Sequence, residues 1–284
     1  MPYTRVVLLT LLALVAFAGN SLLCRAALAH TQIDAASFTS IRLISGAVAL
    51  WALVVLRRSE YSGRGNWLSA LALFVYAAGF SFAYIQLNTG IGALILFGAV
   101  QTSMIAYGLW RGERFSLLQW LGLLLACSGL IGLLLPGLSA PPLSGALLML
   151  AAGVAWGVYS LRGKGAGDPL AVTSGNFIRA VPMALLLSVL LIKQASLDSA
   201  GVGYALLSGV LTSGIGYAIW YTALPLLKAT TAATVQLSVP VLAALGGVLL
   251  LQEPLTLRLL LASLAILGGI ALVVLAANRT QPSR

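Results

Sequence analysis

Ten runs of about twenty apolar residues follow one another along this chain, separated by short breaks that carry turn or charge signals. A helix needs about 20 mostly apolar residues to cross a bilayer core, so each run is long enough to span one. The runs cover 6–28, 36–56, 66–87, 90–110, 117–135, 143–161, 170–192, 201–222, 230–251 and 257–277. Strands of a membrane barrel would be about 10 residues long and strictly alternating, and these runs are neither. Only 8% of the 284 residues are charged, against about 25% in a soluble domain. An all-α integral membrane protein with ten transmembrane helices is therefore expected. Arg5, a short apolar stretch and Ala16-Phe17-Ala18 imitate a cleavable signal peptide. The run continues through Leu23, however, and an uncleaved first helix is expected.

The few charges are lopsided, 16 Lys and Arg against 6 Asp and Glu. Nucleic-acid binding would need a clustered basic face. Here the basic residues are scattered between apolar runs, so no nucleic-acid partner is expected and the bilayer is the partner. Ten spans put both termini on one side. That side collects eleven basic residues: Arg5, Arg57, Arg58, Arg64, Arg111, Arg114, Arg162, Lys164, Lys228, Arg279 and Arg284. The other side collects three, Arg25, Lys193 and Arg258, leaving Arg42 and Arg179 inside runs. By the positive-inside rule both termini are expected to be cytoplasmic.

The chain divides near Ser139-Ala140-Pro141-Pro142 into two five-span halves, 1–138 and 139–284. Aligning 80–135 with 220–275 superposes Ala83 on Ala223, Glu113 on Glu253 and Gly129 on Gly269. Asp34 followed by Thr39-Ser40 parallels Asp168 followed by Thr173-Ser174, and Gly19-Asn20-Ser21 parallels Gly157-Val158-Tyr159. An odd number of spans per half makes the halves upside down relative to each other. Such inverted repeats are typical of secondary transporters with a site near the midplane, although duplication also builds channels.

The two five-helix halves, Trp156-Gly157 with Tyr159-Ser160, and Pro240…Gly246-Gly247…Gln252-Glu253-Pro254-Leu255-Thr256 resemble the EamA branch of the drug/metabolite transporter superfamily. Trp110-Arg111-Gly112-Glu113-Arg114-Phe115-Ser116 is a weaker cognate in the first half, where Gln101 and Thr102 stand near Val100 in place of an expected Pro. The resemblance implies a multi-pass protein of a bacterial-type inner membrane that exports amino acids, including aromatic or neutral ones, or related small metabolites.

A site should be sought among polar and aromatic residues at depth. Arg42, about two turns into the second run, either snorkels to the outer headgroups or serves a site. Arg179 lies near the middle of its run, where snorkelling is harder; it either binds a substrate carboxylate or caps backbone carbonyls between helices. The amides Asn20, Gln101, Asn176 and Gln236 cannot be satisfied within their own helices as Ser and Thr can, so they are the better cavity candidates. Tyr76, Phe80 and Tyr84 share one helical face, as do Ser213, Tyr217 and Trp220. With Phe17, Trp156 and Tyr159 these stripes would line one amphipathic cavity. Pro240, the most central proline of its run, is the candidate hinge.

Absences limit the chemistry. No Asp or Glu lies mid-run, and the single His, His30, falls in a loop. Proton relays rely on such groups, so facilitated diffusion or exchange is expected, without carboxylate-based proton coupling. Cys24 and Cys127 are isolated in apolar runs, so no metal site or disulfide is expected. Neither a cofactor nor catalysis is implied. The expected function is alternating-access export of a small molecule; a multidrug efflux carrier and a channel-like pore are the alternatives.

Overall fold

The computed structural model describes residues 3–57, 65–112, 114–137, 140–163, 166–227 and 229–280. Arg58, Glu60, Arg64, Glu113, Lys164, Lys228 and Arg284 lie outside the described residues. The protein is all-helical among them, and ten helices are long and apolar enough to cross a membrane. The first seven spans are each a single helix: α1 (Tyr3–His30), α2 (Ala35–Leu56), α3 (Trp67–Tyr84), α4 (Thr89–Trp110), α5 (Leu117–Leu134), α6 (Leu143–Gly163) and α7 (Pro169–Leu190). The eighth is composite: α8 (Ser199–Leu207), a π-helical stretch (Ser208–Ile215) and α9 (Gly216–Ala223). The ninth is split into α10 (Ala229–Gln236) and α11 (Ser238–Leu251), and α12 (Leu257–Thr280) is the tenth.

The split in the ninth span has a local cause. Pro240 has no N–H, so the carbonyl four residues back, that of Gln236, loses its helical donor. The helix breaks next to that carbonyl, at Leu237. In the eighth span the π winding brings residues five apart into register. In an α-helix Ser213 would lie about 140° round from Ser208. Within the π stretch Ser208, Thr212 and Ser213 fall toward one side, and all three are buried.

Helix ends consume the acids. Asp34, Asp168 and Asp198 cap α2, α7 and α8, each accepting from backbone N–H groups of the first turn. Glu253 accepts from the Thr89 N–H at the start of α4, at 2.8 Å. All four described acids therefore serve helix N-termini, where the partial positive charge favours them.

Leucines such as Leu124, Leu186, Leu249 and Leu264 point outward as a lipid-facing coat. Inside, the spans pair across the two halves: second with seventh, fourth with ninth, fifth with tenth, third with sixth and first with eighth. Gly122 and Gly269 bring α5 and α12 into backbone contact. Exchanging the first five spans for the last five maps this pairing onto itself. One departure is informative. The first span also packs on the third and fourth, whereas the sixth has no comparable packing on the eighth and ninth among the described residues.

Candidate functional site

Two layers of contact seal the end of the bundle where the first span finishes. At 3.2 Å, Arg25 Nε pairs with Glu253 Oε1, and Arg25 Nη1 donates to the carbonyls of Tyr84 (2.9 Å) and Ile85 (3.1 Å). One ion pair thus joins the end of α3, the start of α4 and the loop after α11 to the first span. Its geometry depends on the backbone around it. Gln252 sits in the left-handed region at φ 55°, and the Glu253 N–H turns back to the Gly247 carbonyl at 3.0 Å. A Cβ on Gly247 would collide with the Glu253 carboxylate. Nearby, Asp34 and Ser196 exchange two hydrogen bonds: Asp34 N–H to Ser196 O (3.0 Å) and Ser196 N–H to Asp34 Oδ2 (2.9 Å). Partial burial raises the Asp34 pKa, but hydrogen bonds from Ser37, Ser196 and Ala36 outweigh it and hold the carboxyl below its ordinary value.

Below this seal lies a cavity of about 350 Å³ that runs to Gly163, Pro169 and Leu224, the loop side at the opposite end. Its walls come from seven spans. The first contributes Phe17, Asn20 and Ser21, the third Tyr76 and Phe80, and the fourth Phe97, Val100, Gln101 and Met104. The sixth to ninth add Trp156, Tyr159, Thr173, Asn176, Thr212, Tyr217, Trp220, Tyr221 and Gln236. The rings form a continuous box. Trp156 lies 4.7 Å from Tyr76, 5.2 Å from Tyr159 and 5.4 Å from Tyr217, ring centre to ring centre. Phe17 meets Tyr217 and Trp220 edge-on at 5.9 and 5.8 Å. Such a box binds apolar or aromatic groups by area and ring geometry.

A polar pole interrupts the box. Asn20 Oδ1 accepts from Ser208 Oγ (2.7 Å) and lies 3.1 Å from Thr212 Oγ1, while its Nδ2 donates to the Tyr76 hydroxyl at 3.4 Å. Behind Tyr76 lies Arg42, only 1% exposed. Its Nη2 donates to the Tyr76 oxygen and its Nε to Ser213 Oγ, each at 3.2 Å. The guanidinium carbon stands 5.3 and 5.1 Å from the ring centres of Tyr76 and Phe80. Its Nη1 is buried and has no partner among the described residues. Gly209 lets α2 come this close, since a Cβ there would collide with Ser45 and the Arg42 carbonyl.

Of the fourteen residues expected to line a cavity, eleven stand on this wall: Phe17, Asn20, Tyr76, Phe80, Gln101, Trp156, Tyr159, Asn176, Tyr217, Trp220 and Gln236. Three do not. Tyr84 is buried in the seal, its hydroxyl on the Thr89 carbonyl at 3.2 Å. Ser213 faces Arg42 rather than the cavity. Arg179 is half-buried and donates to the Gly175 carbonyl of its own helix at 2.9 Å. Of the two readings left open for Arg42, snorkelling to the headgroups is the one the structure excludes, because the third and eighth spans enclose it. Sequence reasoning also missed the Arg25–Glu253 pair. A signal was available: in a ten-span topology Arg25, near the end of the first run, and Glu253, just after the ninth, fall on the same side of the membrane with opposite charges. The π winding that gathers Ser208 and Thr212 left no comparable signal.

Comparison with known proteins agrees with this architecture. The EamA-like transporter family matches residues 143–275. An uncharacterized Pseudomonas aeruginosa protein is 62% identical over 275 residues, 96% of each chain. The threonine/homoserine exporter RhtA of Escherichia coli K12 is 29% identical over 281 residues, covering 95% of this chain and 91% of that one. The Salmonella typhimurium LT2 exporter of the same name is 30% identical over 249 residues, 84% and 81% of the two chains. One crystal structure superposes with a TM-score of 0.69 at 18% identity, over 98% of this chain and all of its own.

Proposed function

The chain belongs to the EamA-like transporter family, and on that premise we propose that it exports neutral or aromatic amino acids, or related small metabolites, by alternating access. The cavity carries this reading. It is sealed at one end, open toward the other, walled by aromatic rings and furnished with one polar pole. A zwitterion with an apolar side chain fits such a chamber: the side chain meets the rings and the polar end meets Asn20 and Tyr76. Its volume is at the lower end of small-molecule pockets, which suits a single amino acid. The amino-acid exporters among the relatives support the same class.

In this reading the halves 1–138 and 139–284 are inverted repeats, supported by the exchange symmetry of the span pairing. The membrane is the bacterial inner membrane. Both termini are cytoplasmic, so the open end faces the cell interior and the Arg25–Glu253 seal faces outward. The polar wall residues named above bind substrate, and Pro240 is the hinge of the ninth span. Transport runs by facilitated diffusion or exchange, since every described acid is engaged at a helix N-terminus.

The deciding experiment is counterflow in liposomes holding the purified full chain. Labelled L-phenylalanine or L-threonine should exchange against unlabelled amino acid with saturation. Non-saturable flux would indicate a pore, and exchange of cationic dyes in preference to amino acids would indicate drug efflux. The buried charge of Arg42 disfavours the latter.

A further inference from the structure

We propose that Arg42 and Tyr76 form the carboxylate subsite of the cavity, so that the transported molecule must carry an anionic acid group at this pole. The inference deepens the amino-acid reading above and rests on it. It starts from an unbalanced charge. Isolating a guanidinium from water costs far more than a few hydrogen bonds return, yet Arg42 is 1% exposed. Its partners are all neutral: Tyr76 Oη, Ser213 Oγ and the faces of Tyr76 and Phe80. Cation–π contact at two rings offsets only part of the loss, and Nη1 has no partner among the described residues. No described acid pairs with Arg42; each sits at a helix N-terminus.

The hydrogen-bond count at Tyr76 shows where the compensating charge belongs. A phenol can accept two hydrogen bonds and donate one. The Tyr76 oxygen already takes Arg42 Nη2 and Asn20 Nδ2. Its own O–H remains to be donated, and no described residue accepts it. Because Tyr76 lines the cavity, the acceptor has to come from there. Arg42 behind the oxygen polarises that O–H, which makes an anionic acceptor the favoured one. A carboxylate bound here supplies the missing negative charge one hydroxyl away from the guanidinium. The arrangement rejects amines and cationic drugs for the same reason.

The test uses the full chain in liposomes, with counterflow of labelled L-phenylalanine and L-threonine. The competitors are L-phenylalanine, L-phenylalaninamide, 2-phenylethylamine and 3-phenylpropionate. The amide and the amine should compete about ten- to a hundredfold more weakly than the amino acid, the range expected when a charge-assisted hydrogen bond is lost. 3-Phenylpropionate should retain competition. Tyr76→Phe keeps the ring and removes the O–H; it should weaken the amino acid by about tenfold or more and leave the amide unchanged. Arg42→Gln should act in the same direction, but Tyr76→Phe decides the matter alone if the Arg42 variant does not fold. Equal competition by amide and acid overturns the subsite while leaving the transport reading intact. So does an equal loss for both ligands in Tyr76→Phe, which would mean that the hydroxyl only packs. Absence of saturable exchange with every probe removes the transport reading, and the subsite with it.

Discussion

Two arginines that look alike in an apolar run meet opposite fates in this fold. Arg179 finds an acceptor on its own helix, the Gly175 carbonyl. Arg42 is enclosed by neighbours contributed by the third and eighth spans. The sequence reveals that a charge lies at depth, but not which helix will supply its acceptors, because that is settled by packing between distant segments. The amides were easier to read. Asn20, Gln101, Asn176 and Gln236 cannot satisfy themselves locally, and all four line the cavity. At the seal, Glu253→Gln keeps the shape and removes the charge that holds Arg25. A hydrogen bond between charged groups is worth about 1.5–3 kcal/mol, and this pair is only slightly exposed. Thiol-reagent labelling of a single cysteine introduced on the cavity wall, applied from the face that carries the Arg25–Glu253 seal, should therefore rise by ten- to a hundredfold (~1.4 kcal/mol per decade). Unchanged labelling would remove the pair from the gate. Asp34 makes a separate prediction. Its folded pKa is depressed, so its contribution is complete above the ordinary carboxylate pKa and is lost as pH falls through the folded value. Thermal unfolding in detergent between pH 7 and pH 3 should show a smaller drop for Asp34→Asn than for the native chain.

At the scale of elements, the spans were legible because hydrophobic length is a direct demand of the bilayer. Most span ends fall within two or three residues of the sequence expectation, and where they fall is set by caps such as Asp34, Ser116 and Asp168. The internal irregularities were less legible. Pro240 announced a disturbance in the ninth span, and the break at Leu237 follows from its missing N–H. The π stretch of the eighth span contains no proline; its winding follows from packing of Gly209 on α2 and from the polar contacts of Ser208, Thr212 and Ser213. If the break is a working hinge, Pro240→Ala should restore the donor to the Gln236 carbonyl and stiffen the span. Counterflow should slow several-fold while the half-saturating concentration stays the same. A variant that exchanges at the native rate would show the break to be static.

For the whole molecule, spans of the first five pair with spans of the last five, so the alternating access proposed above would move both sets together. Chemistry at the scale of the bundle is limited by where the acids lie. Glu253, Asp34, Asp168 and Asp198 are all committed to helix N-termini. An imposed pH gradient should therefore drive no uphill accumulation of amino acid in liposomes, while a gradient of a second amino acid should do so by exchange. Accumulation driven by the pH gradient alone would require a carboxylate that titrates during the cycle, and would overturn the uncoupled mechanism.

In the proposed orientation the Arg25–Glu253 seal has a kinetic meaning. A carrier that works by the proposed facilitated diffusion cannot choose the direction of net flow, which the substrate gradient alone dictates, so the ion pair would be no pump. It can, however, set which face the empty carrier presents. If the idle protein faces inward about 99 times in 100, substrate outside meets about 1% of the carriers and its apparent affinity falls about a hundredfold. Substrate inside meets nearly all of them. The ion pair would thereby set the concentration at which each face saturates, low inside and high outside, while flow would still reverse where the two concentrations are equal.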